Sequence, residues 1–229
     1  MSNPFKRLLV RSYETARRGW ARRLHRAWCG SARWSRFHFG MRLTGNSTGF
    51  YFDLTTLLLK WVIRRRWRRE IRSVLEIGVG ESANLSGYVS RRYRVHVDAV
   101  DIREREVASA RRHIELNRVD VTAFQSNVFS NVPPREYDLI FWNLPYRQPP
   151  EDYLPQLFAG TRERLAPAGE LILGYNAEPL PRATLMEFMR QSGGLELIEA
   201  HTWWWNPHDV LVLRKAPGTR IGAATTRAS

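Results

Sequence analysis

The hydrophobic pattern of the chain changes at residue 73. From there, short apolar runs alternate with stretches whose apolar residues recur every three to four positions, which is typical of buried parallel strands covered by helices. The pattern predicts strands over residues 74–77, 95–101, 121–127, 137–142, 170–175, 195–202 and 209–213. It predicts helices over residues 53–63, 104–117, 153–165 and 184–191, with a further helix of about nine residues from Ala83. This alternation favours an α/β fold.

The N-terminal part has a different, arginine-rich pattern. Asn3 and Pro4 suit the start of a helix, after which apolar residues recur at helical spacing with arginines on the other faces. Aromatic residues cluster over residues 34–39 and are interleaved with Arg33 and Arg36. We therefore expect a basic helical extension or lid over residues 1–48, a domain over residues 49–215 and a flexible tail over residues 216–229.

The distribution of charge separates these parts further. The 229 residues carry a net charge of +14, and residues 1–72 hold eighteen basic and three acidic side chains, a net of +15. The remaining 157 residues carry a net charge of −1. Such a segment suits a polyanion, so RNA or a ribosomal component is an expected partner, while a lid that only packs on the core and an anionic surface remain alternatives.

Composition also excludes several classes of protein. The longest apolar run, residues 57–63, is interrupted by Lys60 and is shorter than the roughly 20 residues of a membrane span, so no span is expected. The single cysteine, Cys29, cannot form an internal disulfide or a cysteine-rich zinc site, and the histidines show no metal-ligand spacing. We expect a reduced, cytoplasmic protein with no metal.

Candidate ligand-binding residues follow three of the predicted strands, and the carboxyl ends of such strands are where α/β sheets bind ligands. Glu76 leads into the turn with Gly78 and Gly80, and because no lysine follows, a P-loop is excluded. Asp101, which can accept hydrogen bonds from two ribose hydroxyls, stands 21 residues after Gly80. Asn127 follows the third strand, where an amide can bind an adenine edge. A dinucleotide site stays an alternative, although a third glycine is missing.

Together, in this order and spacing, these residues resemble the cofactor site of class I S-adenosylmethionine-dependent methyltransferases. The resemblance covers residues 50–215 and implies a Rossmann-like doubly wound seven-stranded sheet with an antiparallel last strand, and S-adenosyl-L-methionine as cofactor. By this resemblance, the methionine part of the cofactor is held by Glu76, Gly78 and Gly80, the ribose by Asp101, and the adenine by Asn127 and Val128, with Ile102 and Asn143 also in the cofactor site. Many relatives have aspartate at the position of Asn127.

The fourth strand ends in Asn143, Leu144, Pro145 and Tyr146, the most specific signal in the chain. It resembles the Asn-Pro-Pro-Tyr type motif of methyltransferases that modify planar nitrogens, including nucleic-acid amines and the release-factor glutamine amide. An amine conjugated to a ring is a poor nucleophile, and the Asn143 oxygen and the Leu144 carbonyl can accept its two N–H bonds and orient its lone pair. Pro145 fixes the turn, and Tyr146 can stack on the substrate.

Two further segments bear on the substrate. Residues 49–59 look like the segment that closes over the active site in small-domain ribosomal RNA guanine methyltransferases and release-factor methyltransferases. By this resemblance Tyr51 and Phe52 are candidate substrate contacts beside Tyr146, and the alternative for either is a place in the core. Residues 203–205 are three adjacent tryptophans, which cannot all face inward, so at least one is expected to be exposed or covered by the N-terminal extension.

These observations predict an S-adenosylmethionine-dependent N-methyltransferase that acts on a planar exocyclic amine or amide, with an RNA base favoured. A small-molecule metabolite or a protein glutamine is the alternative substrate. An inactive, methyltransferase-like RNA-binding module is the alternative of another class, against which the intact motif from Asn143 to Tyr146 argues. A dinucleotide-dependent oxidoreductase is less favoured, because no residue resembles a hydride-transfer acid or base.

Overall fold

Seven strands form one mixed sheet at the centre of the molecule. The structure, a computed structural model, describes residues 24, 27–44, 51–145, 148–204 and 206–217. Its strands are β1 (Val74–Ile77), β2 (Val97–Asp101), β3 (Val121–Gln125), β4 (Tyr137–Asn143), β5 (Leu165–Asn176), β6 (Leu195–His201) and β7 (His208–Lys215). Their order is β3-β2-β1-β4-β5-β7-β6, and β7 is antiparallel to both neighbours. The predicted Rossmann-like sheet with an antiparallel last strand is confirmed.

Helices cover both faces of this sheet. They are α1 (Ala32–Phe39), α2 (Leu54–Arg66), α3 (Asn84–Tyr93), α4 (Glu104–Asn117), α5 (Leu154–Arg164) and α6 (Arg182–Ser192). Because side chains alternate along a strand, Val74 joins the core under α1 to α4, whereas Leu75 and Ile77 join the core under α5 and α6. None of the described helices has the length and apolar character needed to cross a membrane.

Most predicted elements are present, most of their ends shift by no more than two residues, and two ends differ by three residues or more. The helix predicted to end at residue 63 continues to Arg66, because the guanidinium of Arg66 binds the buried carboxylate of Glu170 (Nε to Oε2, 3.0 Å). Residues 166–169, which lie between the helix predicted to end at residue 165 and the strand predicted to begin at residue 170, belong to β5. That strand begins at Leu165 because Leu165 pairs with Tyr137 at the first position of β4, before a bulge.

Part of the basic N-terminal segment contributes to the core. Cys29, Phe39 and Met41 are buried in the same cluster as the strands. The chain is tied down on both sides of α1, since the Cys29 carbonyl accepts a hydrogen bond from Tyr51 N (3.0 Å) and Arg42 N donates to Asn117 Oδ1 (2.7 Å). Within the helix, Ser35 Oγ donates to Asn84 Oδ1 (2.7 Å). The helix start predicted at Asn3 lies outside the described residues, as does the tail from residue 218.

Candidate active site

The loop after β1 lies at the point where the strand order reverses, between β1 and β4. Gly78 has φ of +70° and Gly80 has φ of +61°. A Cβ on Gly78 would lie 2.5 Å from Nε1 of Trp142, so no larger residue fits there, whereas no described atom lies within 4 Å of a Cβ built on Gly80. The loop therefore passes close to β4 at its first glycine and faces open space at its second, where a doubly wound sheet binds its ligand.

Asp101 ends β2 beside this loop, with its carboxylate held by two backbone amides. Gly80 N donates to Oδ2 (3.1 Å) and Arg103 N donates to Oδ1 (3.0 Å). A carboxylate has about four acceptor positions, so two remain for hydroxyl donors. Ile102, the next residue, is an exposed apolar side chain. The pair thus offers fixed acceptors and an apolar surface side by side.

The connection after β3 is strained. Val128 is buried and has φ of +49°, a conformation that a β-branched residue rarely adopts and that occurs mainly where a site requires it. The preceding residue, Asn127, is exposed, and its backbone N–H donates to Ser130 Oγ (3.0 Å). The strain makes this connection a functional candidate, and the predicted contact of Asn127 and Val128 with the adenine stays a prediction.

Within the described part of the chain, Asn143, the last residue of β4, has a side-chain amide whose nitrogen is hydrogen-bonded and whose oxygen is not. Its Nδ2 donates to Asp53 Oδ1 (3.1 Å) and to Thr56 Oγ1 (3.3 Å). Because a carboxylate oxygen only accepts, the amide nitrogen must face Asp53, which turns Oδ1 the other way. That oxygen is buried and has no hydrogen-bond partner among the described residues. A buried acceptor without a donor is costly, and in a native protein such an atom is accounted for by a bound water or ion, by strain, or by a catalytic role. Asn143 Oδ1 is one of several such atoms among the described residues, and it stands out because it ends a strand at the ligand-binding edge of the sheet.

The two residues after Asn143 are anchored through their backbones. Leu144 N donates to the Gly174 carbonyl on β5 (2.8 Å), and the Pro145 carbonyl accepts a hydrogen bond from the hydroxyl of Tyr153 (3.1 Å). The turn is therefore held from both sides. Tyr146 lies outside the described residues, so its predicted stacking role remains a prediction.

Comparison with known proteins identifies this arrangement. The sequence profile described as "Methyltransferase small domain" matches residues 50–196. The chain belongs to this family. Its matched region is thus an S-adenosylmethionine-dependent methyltransferase domain, as the sequence predicted. The cofactor fits the residues present, because the Asp101 carboxylate is preset beside the open space at Gly80.

Two curated relatives support the assignment of this small-domain methyltransferase. Ribosomal RNA small subunit methyltransferase C of Chromohalobacter salexigens is 38% identical over 113 residues, which are 48% of this chain and 33% of the relative. A putative protein N5-glutamine methyltransferase of Methanocaldococcus jannaschii is 28% identical over 134 residues, which are 56% of this chain and 62% of the relative. The matches therefore span only part of either relative.

Solved structures share the fold of the small-domain methyltransferase. A methyltransferase from Pyrococcus furiosus has a TM-score of 0.66 at 21% identity and covers 85% of this chain and 95% of its own. The N-terminal domain of human METTL16, solved in complex with SAH, has a TM-score of 0.63 at 12% identity, with 83% of this chain and 81% of that one covered. Identities this low establish the architecture of the sheet and its helices.

The segment before α2 packs against the core. The Phe52 ring is buried among the rings of Trp28, His38 and Phe39, with centroids 5.4 to 5.6 Å apart. This packing makes Phe52 part of the core, and a contact between Phe52 and the substrate stays a prediction. Tyr51 is also buried, and its carbonyl accepts hydrogen bonds from Ser82 Oγ (3.0 Å) and Asn84 Nδ2 (2.8 Å). Its backbone links the segment to the start of α3.

Sequence reasoning missed the residues that hold Asn143. Asp53 is the N-cap of α2 and forms a reciprocal capping box with Thr56, in which Thr56 N donates to Asp53 Oδ1 (2.8 Å). The same carboxylate oxygen accepts from the Asn143 amide. An N-cap signal was visible in the sequence, but its link to a residue 90 positions away was not.

Glu76 lies beneath the glycine loop and is buried. Its Oε2 accepts hydrogen bonds from the backbone N–H (2.9 Å) and the hydroxyl of Ser86 at the start of α3. Burial, opposed by these bonds and aided by the nearby charge of Asp101, raises the pKa of Glu76 to about 8. A cationic group bound nearby would favour the ionised form, so Glu76 fits the expected place near the methionine end of the cofactor.

We expect Glu76→Gln to remove a pH-dependent loss of stability. Between pH 4.5 and about 8 the unfolded chain releases the Glu76 proton while the fold retains it, so wild-type stability falls as pH rises through this window. The variant should therefore gain free energy of unfolding over wild type by about 1.4 kcal/mol per pH unit. Urea unfolding at pH 5.5 and pH 7.5 measures this, and a difference that does not change with pH would show an ionised Glu76.

Proposed function

We propose that this chain is an N-methyltransferase that acts on a planar exocyclic amine or amide, with an RNA base as the favoured substrate. The carrying observation is the buried Oδ1 of Asn143, which has no donor among the described residues and belongs to an amide fixed by Asp53 and Thr56. A substrate N–H supplies the missing donor. The names of the two curated relatives, one a ribosomal RNA and one a putative glutamine methyltransferase, fit amine or amide substrates.

The chemistry requires orientation more than acid–base groups. S-adenosylmethionine supplies, when bound, an electrophilic methyl group on a sulfonium sulfur. Asn143 Oδ1 and the Leu144 carbonyl accept the two N–H bonds of the substrate amine and so direct its lone pair toward the methyl carbon. When the nitrogen takes the methyl group, the bond between methyl carbon and sulfur would break and leave a neutral thioether, while the positive charge passes to the nitrogen. These two acceptors would stabilise that charge before a proton leaves to solvent. The anchored turn at Pro145 keeps the Leu144 carbonyl in place.

RNA is favoured among the substrates because of charge. The first 72 residues carry a net charge of +15, which complements a phosphate backbone more directly than it does a neutral glutamine side chain or a small metabolite. A cell extract supplied with S-adenosylmethionine carrying a radiolabelled methyl group, separated into RNA, protein and small-molecule fractions, tests the proposal. Label in the RNA fraction supports it, label only among small molecules or proteins redirects the substrate, and no label with intact cofactor binding contradicts the activity.

A variant of Asp53 tests the orientation of the amide. We expect Asp53→Asn to lower kcat by about tenfold to a hundredfold, because an amide at position 53 can donate as well as accept and lets the Asn143 side chain turn over. Asparagine caps a helix as well as aspartate does, so the melting temperature should stay close to that of wild type. Cofactor affinity should also be unchanged. A wild-type kcat in this variant would show that Asp53 only caps α2.

A further inference from the structure

An aromatic surface without a role in the chemistry lies next to the site. We call it the tryptophan face, and it consists of Trp61, Arg65, His201, Trp203 and Trp204. Trp61 is 42% exposed and Trp204 is 70% exposed. The rings of Trp61 and Trp203 lie 6.1 Å apart, and His201 stacks on Trp203 at 6.2 Å. Large exposed aromatic patches of this kind mark interaction sites.

One end of the tryptophan face lies at the sheet edge that carries the proposed substrate site. The segment that carries Trp203 and Trp204 connects β6 to β7, and His208 at the start of β7 pairs with Asn176 at the carboxyl end of β5. The His208 ring is joined to α2 by a hydrogen bond between Nδ1 and Thr55 Oγ1 (2.5 Å). Thr55 is adjacent to Thr56, which binds the Asn143 amide. Trp203 and Trp204 therefore follow a strand that ends at the same edge of the sheet as the candidate catalytic amide, and Trp61 continues this surface along α2.

The charge of this surface is positive. The guanidinium of Arg65 lies 4.8 Å from the centre of the Trp61 ring, one helical turn away on α2, and Arg64 beside it is exposed. The acidic Glu199 also lies at this surface, where it pairs with Arg66 (3.3 Å) and contacts His201 (3.1 Å), and the exposed Arg64 and Arg65 leave the surface with a net positive charge. The undescribed residues 1–23 have seven basic side chains against one acid, which makes this segment a like-charged and unfavourable occupant. Charge complementarity points to an external polyanion.

We infer that the tryptophan face is a docking surface for single-stranded RNA, which holds nucleotides flanking the base in the active site. Indole rings stack on bases of any sequence, and a guanidinium beside them pairs with the phosphates, so rings and arginines together match a single strand. This inference deepens the proposed function and rests on it for the choice of RNA. It assigns a specific binding role to residues that the methyl transfer itself does not use.

Binding of a fluorescein-labelled single-stranded RNA to the full chain without cofactor tests this inference, because no turnover is needed. We expect Trp204→Ala to weaken binding by about tenfold, the loss of one stacked base. We expect Arg65→Gln to reduce the slope of log affinity against log salt by about 0.7, the loss of one phosphate contact on a single strand. Unchanged melting temperatures check that both exposed substitutions leave the fold intact.

One matched substitution serves as a control. Arg112→Gln removes an exposed arginine from α4, outside the basic N-terminal segment, and we expect its RNA affinity to stay within about twofold of wild type. Unchanged RNA affinity and salt slope in Trp204→Ala and Arg65→Gln would overturn the inference. The inference would also be overturned if these two variants bound RNA as wild type does but no longer methylated protein. That result would assign the tryptophan face to a protein partner. If the wild-type chain bound RNA through the tryptophan face but transferred no methyl group, the proposed function would be contradicted and the docking surface would still be supported.

Discussion

Replacing Asn143 with alanine should lower kcat by about a hundredfold or more while the affinity for S-adenosylhomocysteine changes little. This fall in kcat is the size expected when an enzyme loses one preorganised hydrogen-bonding group that stabilises charge in the transition state. The reason is geometric, because the substitution removes the buried Oδ1 acceptor that Asp53 and Thr56 hold in place. Single-turnover methyl transfer measures the rate, and calorimetric titration measures the affinity for S-adenosylhomocysteine.

Asn176→Ala provides a matched control for this experiment. Asn176 lies at the carboxyl end of β5, next to the strand of Asn143, and its Oδ1 accepts a hydrogen bond from Glu178 N (2.9 Å) in a local turn. We expect its rate to stay within about threefold of wild type. If Asn143→Ala turned over at the wild-type rate, the amide would have no part in the reaction and the mechanism proposed above would be wrong.

Replacing Asp101 with alanine should weaken cofactor binding by about a hundredfold or more. Two charge-assisted hydrogen bonds to the ribose would be lost, each worth about 1.5 to 3 kcal/mol. The amides of Gly80 and Arg103 would also lose the acceptor that presets the loop. Asp101→Asn keeps one carbonyl oxygen and should show a smaller loss, of about tenfold.

Titration with S-adenosylhomocysteine measures both Asp101 variants. Asp120→Asn is the control, since Asp120 is an exposed carboxylate that precedes β3 at the opposite edge of the sheet and binds His96 (2.7 Å). Its cofactor affinity should equal that of wild type. An affinity within twofold of wild type in Asp101→Ala would show that the carboxylate does not contact the cofactor.

The sequence predicts the elements of this fold best where one local signal acts alone. The helix over residues 104–117 has the bounds predicted for it, because its apolar spacing is regular and its acidic first turn suits the helix dipole. The start of β5 was missed, since Pro167 and Gly169 give a turn signal that strand pairing overrides. The arginines after residue 63 have different partners, which no local pattern predicts. Arg66 binds Glu170, and the guanidinium of Arg65 lies over the ring of Trp61.

For the site, the sequence predicted the positions of Asp101 and Asn143 but not the contacts that orient Asn143. Asp101 and Asn143 were expected at strand ends because parallel strands bring their carboxyl ends together, and the structure places both there. The orientation of Asn143 depends on Asp53, 90 residues earlier, and the burial of Phe52 depends on packing against α1. Both are contacts between distant segments, which residue spacing does not encode.

The position of the transferred methyl group tests the central claim most directly. RNA methylated by the purified chain would be digested to nucleosides and the modified nucleoside identified by mass spectrometry against standards. The orphan acceptor of Asn143 predicts a methyl group on an exocyclic nitrogen of a base, absent from RNA treated with Asn143→Ala. A methyl group on a ribose oxygen or a ring carbon would contradict the account, because neither atom carries an N–H bond for Asn143 to accept.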